Sequence, residues 1–256
     1  DIKGPDAERM LEYLSVAKVG SNTPEGKVIY TNFLDEDGGV HADLTISRLG
    51  ADSYRVVTGG ADGNRDWVTL RNYRDDNGLN ADINIRTHDI ATLGLWGPKA
   101  VNALGNFIDP SEIDISNFPF VTAKNLTLNL SGGKKVDVWA ARISYVGESG
   151  WEIYFNNNKG DGLALYDSLL EVGVVPVGIE TYANSRRLEK SFRLQGADLE
   201  TEYTAIEAAI QRPLVKEADF HGKAAHLSQR EEDPCAILCT MTLDDLNVSG
   251  KTRYPV

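Results

Sequence analysis

The stretch "GGVHADLTISRL", residues 38–49, has a second version in "GGKKVDVWAARI", residues 132–143. Both begin with two glycines, and both carry an Asp five residues and an Arg ten residues after the first Gly. The matched residues are Asp43 with Asp137 and Arg48 with Arg142. Two adjacent glycines are typical of a hairpin tip, because glycine readily adopts the positive φ of tight hairpin turns. We therefore predict that a strand follows each Gly pair.

Similar segments flank both copies at nearly the same spacing. "GPDAERMLEYL" begins at Gly4 and "GPKAVNALGNFI" at Gly97, so their offset is 93 residues, compared with 94 for the Gly pairs. Each segment places Pro in a first helical turn before an amphipathic run, which predicts a helix. A third predicted strand follows in both copies, "DSYRVVT" from Asp52 and "GWEIYF" from Gly150.

The repeated order predicts the fold class. We expect an α+β fold with two related subdomains, roughly residues 4–74 and 97–172, each a helix packed on a mostly antiparallel sheet. The alternative is that common turn and helix chemistry makes two unrelated regions look alike. Further helices are predicted at 62–74, 159–172 and 178–192.

The last part of the chain follows a different pattern. "KEADFHGKAAHLSQREED" predicts a connector and a short helix, and "CAILCTMTLDDL" from Cys235 predicts a new strand. A sheet that stops soon after this strand would hardly be stable alone. We therefore expect the chain to be a fragment or to lack a C-terminal segment.

Composition and charge restrict the function. The chain has 256 residues, of which 41% are hydrophobic and 25% charged, and no run approaches the about 18 apolar residues of a membrane span. Its net charge of −12 argues against nucleic-acid and anionic-membrane partners, which need a cationic face. Cys235 and Cys239 have no Cys or His group at metal-ligand spacing. We therefore predict no metal site and interpret both as small core residues.

Several motifs together resemble a known family. They are "GPDA", "GKVIYTNFLDEDGGVHADLTISRL", "LGLWGPKA", "ISYVGESGWEIYF", "SRRLEKSFRLQGADLETEYTAIEAAI" and "DFHGKAAH". They resemble, in family order over nearly the whole chain, the aminomethyltransferase (glycine cleavage T-protein) superfamily of tetrahydrofolate-dependent proteins. "SRRLEKSFRLQGADL" and "AARISYVGESGWEIYF" look most like the folate-binding C-terminal region of dimethylglycine and sarcosine dehydrogenases.

The resemblance implies an activity and a domain plan. The expected domains are a T-protein-like folate-binding domain at 1–215 and, at 216–256, a connector and the start of a C-terminal β-barrel domain. Family members have further strands and a helix before the "GPDA" helix, so we expect truncation at both ends. The expected enzyme captures a one-carbon unit from a methylated amine, or its imine, as 5,10-methylenetetrahydrofolate.

The resemblance also implies a partner and a compartment. In the dehydrogenases a flavin domain oxidises the amine, but this chain has no flavin-binding glycine fingerprint, so the flavin would belong to a separate domain. The expected compartment is the cytoplasm, or the mitochondrial matrix if the organism is eukaryotic.

Glu152 interrupts an apolar run of strand-forming residues, where a carboxylate is unusual. A pterin ring presents an amine and a ring N–H side by side, and one carboxylate can accept both hydrogen bonds. Glu152 aligns with the family's pterin-anchoring Glu, so the resemblance implies folate binding there. The alternative is a solvent-facing residue, with Trp151 and Ile153 forming the buried face.

Two further residues match family positions, and Tyr145 is a candidate because of its place in the sequence. Asp43 aligns with the catalytic Asp, which is expected to lie near the reactive folate nitrogens and to stabilise positive charge. Tyr30 matches a tyrosine that lines the folate near this Asp, and Tyr145 precedes the turn that leads to Glu152. Either tyrosine could instead be a packing residue. His41, two residues from Asp43, is a weaker candidate.

Two alternative functions remain open. One is an O- or S-demethylase of the same superfamily, which would move a methyl group directly to folate. The other is a non-enzymatic folate-binding protein; its members carry a "KGCYxGQE"-type segment, whereas this chain has "FRLQGADLE" without Cys.

Overall fold

Two antiparallel sheets organise the chain. The structure, a computed structural model, describes residues 1–20, 22–157, 160–212 and 214–242. The strands of this part are β1 (Ile2–Lys3), β2 (Val28–Leu34), β3 (Val40–Gly50), β4 (Ser53–Thr58), β5 (Asp82–Ile83), β6 (Ile90–Trp96), β7 (Ala123–Asn129), β8 (Lys135–Ala141) and β9 (Gly150–Asn156). The helices are α1 (Ala7–Leu14), α2 (Gly63–Asp76), α3 (Ala100–Leu104), α4 (Pro110–Ile113), α5 (Asp161–Glu171), a π-helix (Glu180–Arg186) and α6 (Lys223–Gln229).

The two sheets repeat one topology. The first sheet has the strand order β2-β3-β4-β1-β5, and the second has β6-β9-β8-β7. The run β2-β3-β4-β1 therefore matches β7-β8-β9-β6, while β5 is an addition to the first sheet. Helices α1 and α2 take the same places in chain order as α3 and α5. The predicted α+β class with two related helix-on-sheet subdomains is confirmed.

The Gly pairs lie at the hairpin tips. Gly38 has a φ of 82°, and the Asp35 carboxylate accepts a hydrogen bond of 2.7 Å from the amide of Gly39. Gly132 and Gly133, between β7 and β8, have φ values of 74° and 80°. Because a Cβ disfavours this region of φ, the glycines determine where each pair of strands turns.

Each sheet buries one face against its own helices. Side chains of β3, such as Ala42 and Leu44, enter the first core, and Trp151 and Ile153 of β9 enter the second. Successive strand residues point to opposite faces. Asp43 and Glu152 therefore lie on the faces that are turned away from these cores and toward the other sheet.

Backbone hydrogen bonds join the two sheets where β2 and β7 begin. The Val28 amide donates to the Val121 carbonyl at 2.9 Å, and the Ala123 amide donates to the Gly26 carbonyl at 2.6 Å. In the alignment of the repeats, Gly26 corresponds to Val121 and Val28 to Ala123. The contact is therefore reciprocal, as across a pseudo-two-fold axis.

The repeated arginines have equivalent structural roles. Arg48 Nη1 donates to the Thr23 carbonyl at 2.7 Å, and Arg142 Nη1 donates to the Phe118 carbonyl at 2.8 Å. Each guanidinium thus fastens the segment that leads into the first hairpin strand of its own subdomain. This explains why an Arg recurs ten residues after each Gly pair.

The C-terminal part differs from the expectation. Residues 235–242 form no strand, and the rest of the predicted strand, within 243–256, lies outside the described residues. The start of a C-terminal β-barrel is therefore not shown. Cys235 and Cys239 are exposed, so their interpretation as core residues is wrong. The described part of this segment has no strand neighbour to pair with, which leaves both thiols uncovered.

Candidate functional site

Glu152 lies in the middle of the second sheet and is largely enclosed. It is opposite Gly94 of β6 and Ala141 of β8 in the strand ladders. The Tyr154 hydroxyl donates a hydrogen bond to Oε2 of Glu152. Burial raises the pKa of Glu152, and the hydrogen bond from Tyr154 opposes that rise. Glu152 is therefore partly buried on one face of β9, while Trp151 and Ile153 form the buried core on the other face, as the solvent-facing alternative had expected of these two residues.

Glycine at position 94 admits an aromatic ring beside Glu152. A Cβ on Gly94 would lie 2.1 Å from Cζ3 of Trp96, so the indole occupies the space that a larger residue would fill. The indole Nε1 donates to the Ile143 carbonyl at 2.8 Å, which fixes the orientation of the ring. Glu152 thus has small residues beside it in both ladders and an aromatic ring close by.

A row of stacked aromatic side chains continues from Trp96. Tyr182 stacks on Trp96 with ring centroids 5.3 Å apart, and Tyr145 lies 5.5 Å from Tyr182. Tyr145 in turn stacks on Phe192 at 6.1 Å, and its hydroxyl donates to the Arg193 carbonyl at 2.6 Å. Tyr182 belongs to the π-helix, an element that often occurs at functional sites.

Buried Arg187 holds the segment behind this aromatic row. Its guanidinium donates to the carbonyls of Ala183 and Phe192, at 2.7 and 2.9 Å, and it pairs with Asp198. These bonds connect the π-helix to the turn that carries Phe192. Arg187 therefore has a structural role behind the aromatic row.

Asp43 lies in the first sheet, in a separate set of hydrogen bonds. Asn32 Nδ2 donates to Oδ1 of Asp43 at 3.2 Å, and the Tyr30 hydroxyl is a second donor. Burial raises the pKa of Asp43 to about 6, against the effect of both hydrogen bonds, and the negative charge of Asp62 adds to the rise. The carboxyl group is therefore ionised at neutral pH and titrates near it.

Tyr30 links this acid to an open cleft at the edge of β2. Tyr30 is 44% exposed. The pKa of its hydroxyl is nevertheless raised, first by burial of that group and then by the charge of Asp43. The backbone carbonyl of Tyr30 accepts a hydrogen bond from Arg212. The cleft, about 790 Å³ in volume, lies between β2, the segment after α1 and residues 214–217.

The aromatic row connects the two acids. Burial raises the pKa of Tyr145, and the charge of Asp43 contributes to the rise. Burial, followed by the charge of Glu152, raises the pKa of Tyr182 to about 12. Since Tyr145 and Tyr182 are in ring contact, the aromatic row lies between Asp43 of one sheet and Glu152 of the other.

The four predicted site residues Tyr30, Asp43, Tyr145 and Glu152 therefore lie in one region, although their roles stay predictions. Sequence reasoning missed Asn32, Tyr154, Trp96 and Tyr182. Asn32 lies opposite Asp43 in the ladder and Tyr154 is two residues from Glu152, so strand periodicity could have identified both. Trp96 and Tyr182 carry no such local signal.

Other candidate features contribute less to the site. His41 contacts Thr69 of α2, Nε2 to Oγ1 at 3.0 Å, and burial followed by the charge of Arg65 lowers its pKa. In the described ranges, no three or more His, Cys, Asp or Glu residues form a group suited to a metal ion. Nor does any helix there have the length and apolar character to cross a membrane.

Fold and site define an α+β protein of duplicated subdomains, with acids and aromatic rings at the interface between two sheets. The chain belongs to the GCVT N-terminal domain family, whose model matches residues 1–217. The resemblance to the aminomethyltransferase (T-protein) superfamily is thereby confirmed.

Two known proteins are similar to the chain. Human mitochondrial dimethylglycine dehydrogenase is 30% identical over 261 residues, which cover 98% of this chain and 28% of that protein. The glycine cleavage system aminomethyltransferase T of Bartonella henselae has the same fold, with a TM-score of 0.74 and 24% identity. That match covers 91% of this chain and 60% of the other. The chain thus spans only part of either relative.

Proposed function

We propose that the chain is a folate-dependent enzyme domain that transfers a one-carbon unit from a methylated amine, or its imine, to tetrahydrofolate. From the imine the product would be 5,10-methylenetetrahydrofolate. From the methylated amine itself, a separate flavin-containing domain would first have to remove two electrons to give that imine. Membership of the GCVT family supports the aminomethyltransferase-type assignment. The observation that carries the proposal is Glu152, an enclosed carboxylate with acceptor capacity that the described residues leave unused.

The environment of Glu152 fits a pterin. A carboxylate has about four acceptor positions, and among the described residues Tyr154 alone uses one of them. The two adjacent N–H donors of a pterin would satisfy the remaining capacity, and an enclosed carboxylate without such partners is costly. Gly94 and Ala141, on either side, have no large side chains of their own, and the Trp96 indole that fills the space over Gly94 offers an aromatic surface beside the carboxylate.

The Asp43 carboxylate is proposed as the catalytic group. When bound, tetrahydrofolate supplies the nucleophilic nitrogens that take up the one-carbon unit. Asp43, ionised at neutral pH and held by Asn32 and Tyr30, would stabilise positive charge on the incoming carbon and orient the reacting groups. Fixing the carboxylate in advance lowers the cost of reorganisation during transfer.

The tyrosines are proposed to bind the folate rings. Tyr145 and Tyr182 present aromatic surface between the two acids, and Tyr30 lies at the open edge beside Asp43. Aromatic side chains pack well on flat heterocycles. Tyr145 is additionally held by its hydrogen bond to Arg193, so its ring is positioned before a ligand arrives.

Similarity to dimethylglycine dehydrogenase supports a flavin-containing partner domain and a small methylated amine as donor. Because the chain covers 28% of that relative, the flavin would lie outside this region of sequence. We propose the cytoplasm, or in a eukaryote the mitochondrial matrix, as the compartment.

Two measurements test the function. Equilibrium binding of a reduced folate should be detectable for the wild-type chain and weaker for Glu152→Gln. Incubation with tetrahydrofolate and an imine, generated by oxidising a methylated amine with a flavin-containing dehydrogenase, followed by chromatography, should then yield 5,10-methylenetetrahydrofolate faster than the same mixture without the chain. Formation of 5-methyltetrahydrofolate would identify a demethylase instead, and binding without turnover of any donor would identify a non-enzymatic folate-binding protein.

A further inference from the structure

Tyr154 is placed to control how Glu152 meets a ligand. The two residues lie two positions apart on β9, so their side chains share one face of the sheet. The Tyr154 hydroxyl donates to Oε2 of Glu152. This hydroxyl bond restricts the rotation of the carboxylate, because one of its oxygens is held in a defined position.

The ring of Tyr154 is itself held from both sheets. Tyr154 is 7% exposed and packs against Trp139 of β8, with ring centroids 5.0 Å apart. The guanidinium of Arg55, from β4 in the first sheet, lies 4.7 Å from the centre of the Trp139 ring. Arg55, Trp139 and Tyr154 thus form a packed series that ends at Glu152.

Arg55 and Glu152 occupy equivalent positions in the two repeats. Arg55 is opposite Ser47 in its ladder, and Glu152 is opposite Ala141, which corresponds to Ser47. The residues that precede them, Tyr54 and Trp151, are both fully buried in their cores. In the first repeat this position carries Arg55, which supports Tyr154 through Trp139, and in the second repeat it carries Glu152 itself.

The charge state of Glu152 depends on few groups. Burial favours the protonated acid, and the Tyr154 hydroxyl, from the same strand, favours the carboxylate. The titratable group that faces Glu152 from the π-helix is Tyr182, which is neutral below its pKa of about 12. Burial, followed by the charge of Glu152, raises the pKa of Tyr154, and the charge of Arg55, from the first sheet, opposes that rise. Tyr154 is therefore the donor on which the acceptor capacity of Glu152 depends.

We propose that Tyr154 is a positioning residue: it holds the Glu152 carboxylate in one orientation, in which the carboxylate can accept hydrogen bonds from the pterin-like N–H donors of the ligand. This inference rests on the proposed folate binding at Glu152. It adds that the binding strength of Glu152 is set by a second side chain, which does not itself need to touch the ligand.

Tyr154→Phe tests the proposal, because it removes the hydroxyl and keeps the ring against Trp139. The dissociation constant of 5-formyltetrahydrofolate, an air-stable reduced folate, is measured from about pH 6 to about pH 9. Without the donor the pKa of Glu152 rises, so the variant should lose affinity on the acidic side of the profile, by up to about tenfold for a rise of one pKa unit. The difference between the two proteins should shrink toward about twofold or less as the pH is raised.

Tyr54→Phe is the matched control. The Tyr54 hydroxyl donates to Glu8 at 3.2 Å, so this change also removes a buried Tyr–Glu hydrogen bond, but in the first core. It should lower the melting temperature without moving the pH dependence of folate binding. If Tyr154→Phe behaves in the same way, Tyr154 is a structural residue and the proposal is overturned.

A double-mutant cycle provides a second readout. In a Glu152→Gln background, Tyr154→Phe should leave folate affinity nearly unchanged, because its effect acts through the missing carboxylate. Additive losses would contradict the proposal. If the wild type binds folate and Tyr154→Phe has the same pH profile, only this inference is contradicted. If the wild type does not bind folate, the proposed function is contradicted as well.

Discussion

Asn32 and Asp43 lie directly opposite each other in the ladder between β2 and β3, and the Asn32 amide donates to Asp43 Oδ1 at 3.2 Å. The equivalent pair in the second repeat is Thr127 and Asp137, where the Thr127 hydroxyl donates to Asp137 Oδ1 at 2.7 Å. The same cross-strand hydrogen bond therefore occurs twice. It is partly buried in the first subdomain and exposed in the second.

The first prediction concerns the pH dependence of transfer. Asn32→Leu, which keeps the side-chain volume, removes a hydrogen bond that lowers the pKa of Asp43, so this pKa should rise above about 6. Since the ionised carboxylate is the proposed active form, the acidic limb of kcat/KM should move to higher pH. A rise of one pKa unit corresponds to a loss of up to about tenfold on that limb, recovered at alkaline pH.

Thr127→Val is the matched control for this change. It removes the equivalent hydrogen bond to exposed Asp137, and the pH profile should stay where it is in the wild type. An acidic limb that is identical in Asn32→Leu and wild type would mean that Asp43 does not govern turnover.

The second prediction separates binding from chemistry. Asp43→Asn should retain folate affinity within a few-fold, because Glu152 is the proposed anchor, and should lose about 10²- to 10⁴-fold in kcat. Single-turnover measurements at saturating folate would check this. Asp137→Asn, at the equivalent exposed position, should transfer at the wild-type rate. Near-normal turnover by Asp43→Asn would exclude it as the catalytic group.

The third prediction concerns the anchor. Glu152→Gln replaces an acceptor oxygen with an amide that is itself a donor, so it should weaken folate binding by about ten- to a hundredfold, the usual range for charged hydrogen bonds. Titration calorimetry would measure the loss. Glu189→Gln changes an exposed carboxylate that pairs with Arg186 at 2.8 Å and should bind like wild type. Equal affinities for all three proteins would place the pterin elsewhere.

The fourth prediction concerns the junction of the sheets. Gly26 has a φ of 78°, and a Cβ there would lie 2.7 Å from the Ala123 carbonyl oxygen. Gly26→Ala should therefore lower the free energy of unfolding by about 2 kcal/mol more than a change with backbone strain alone. Gly132→Ala supplies that comparison, because its φ is 74° and its surroundings are open. Denaturant titration gives both values, and equal losses would show that the junction tolerates the methyl group.

Strand periodicity predicted much of the fold and part of the site. The Gly pairs and the alternating apolar residues of β3 and β9 were sufficient to place Asp43 and Glu152 opposite the cores. The environment of Glu152 was not predictable in this way. Its enclosure depends on Trp96 and Tyr182, which are distant in sequence and meet only when the π-helix packs against the second sheet.

The C-terminal segment shows the opposite outcome. "CAILCTMTL" has the composition of a strand, yet its described residues, up to 242, have no strand to pair with and expose both cysteines. A high β-propensity does not by itself form a strand when no neighbouring strand is available to pair with it. The prediction depended on tertiary partners that the segment itself does not specify.

The unlike residues at equivalent positions give the interface a polarity. Rotation about the pseudo-two-fold axis would exchange Glu152 with Arg55, which has the opposite charge, and would exchange enclosed Asp43 with exposed Asp137. A ligand whose two ends differ chemically would therefore find complementary groups in one direction only. The two repeats therefore share one arrangement of strands but differ in the charge and burial of the side chains at these two positions.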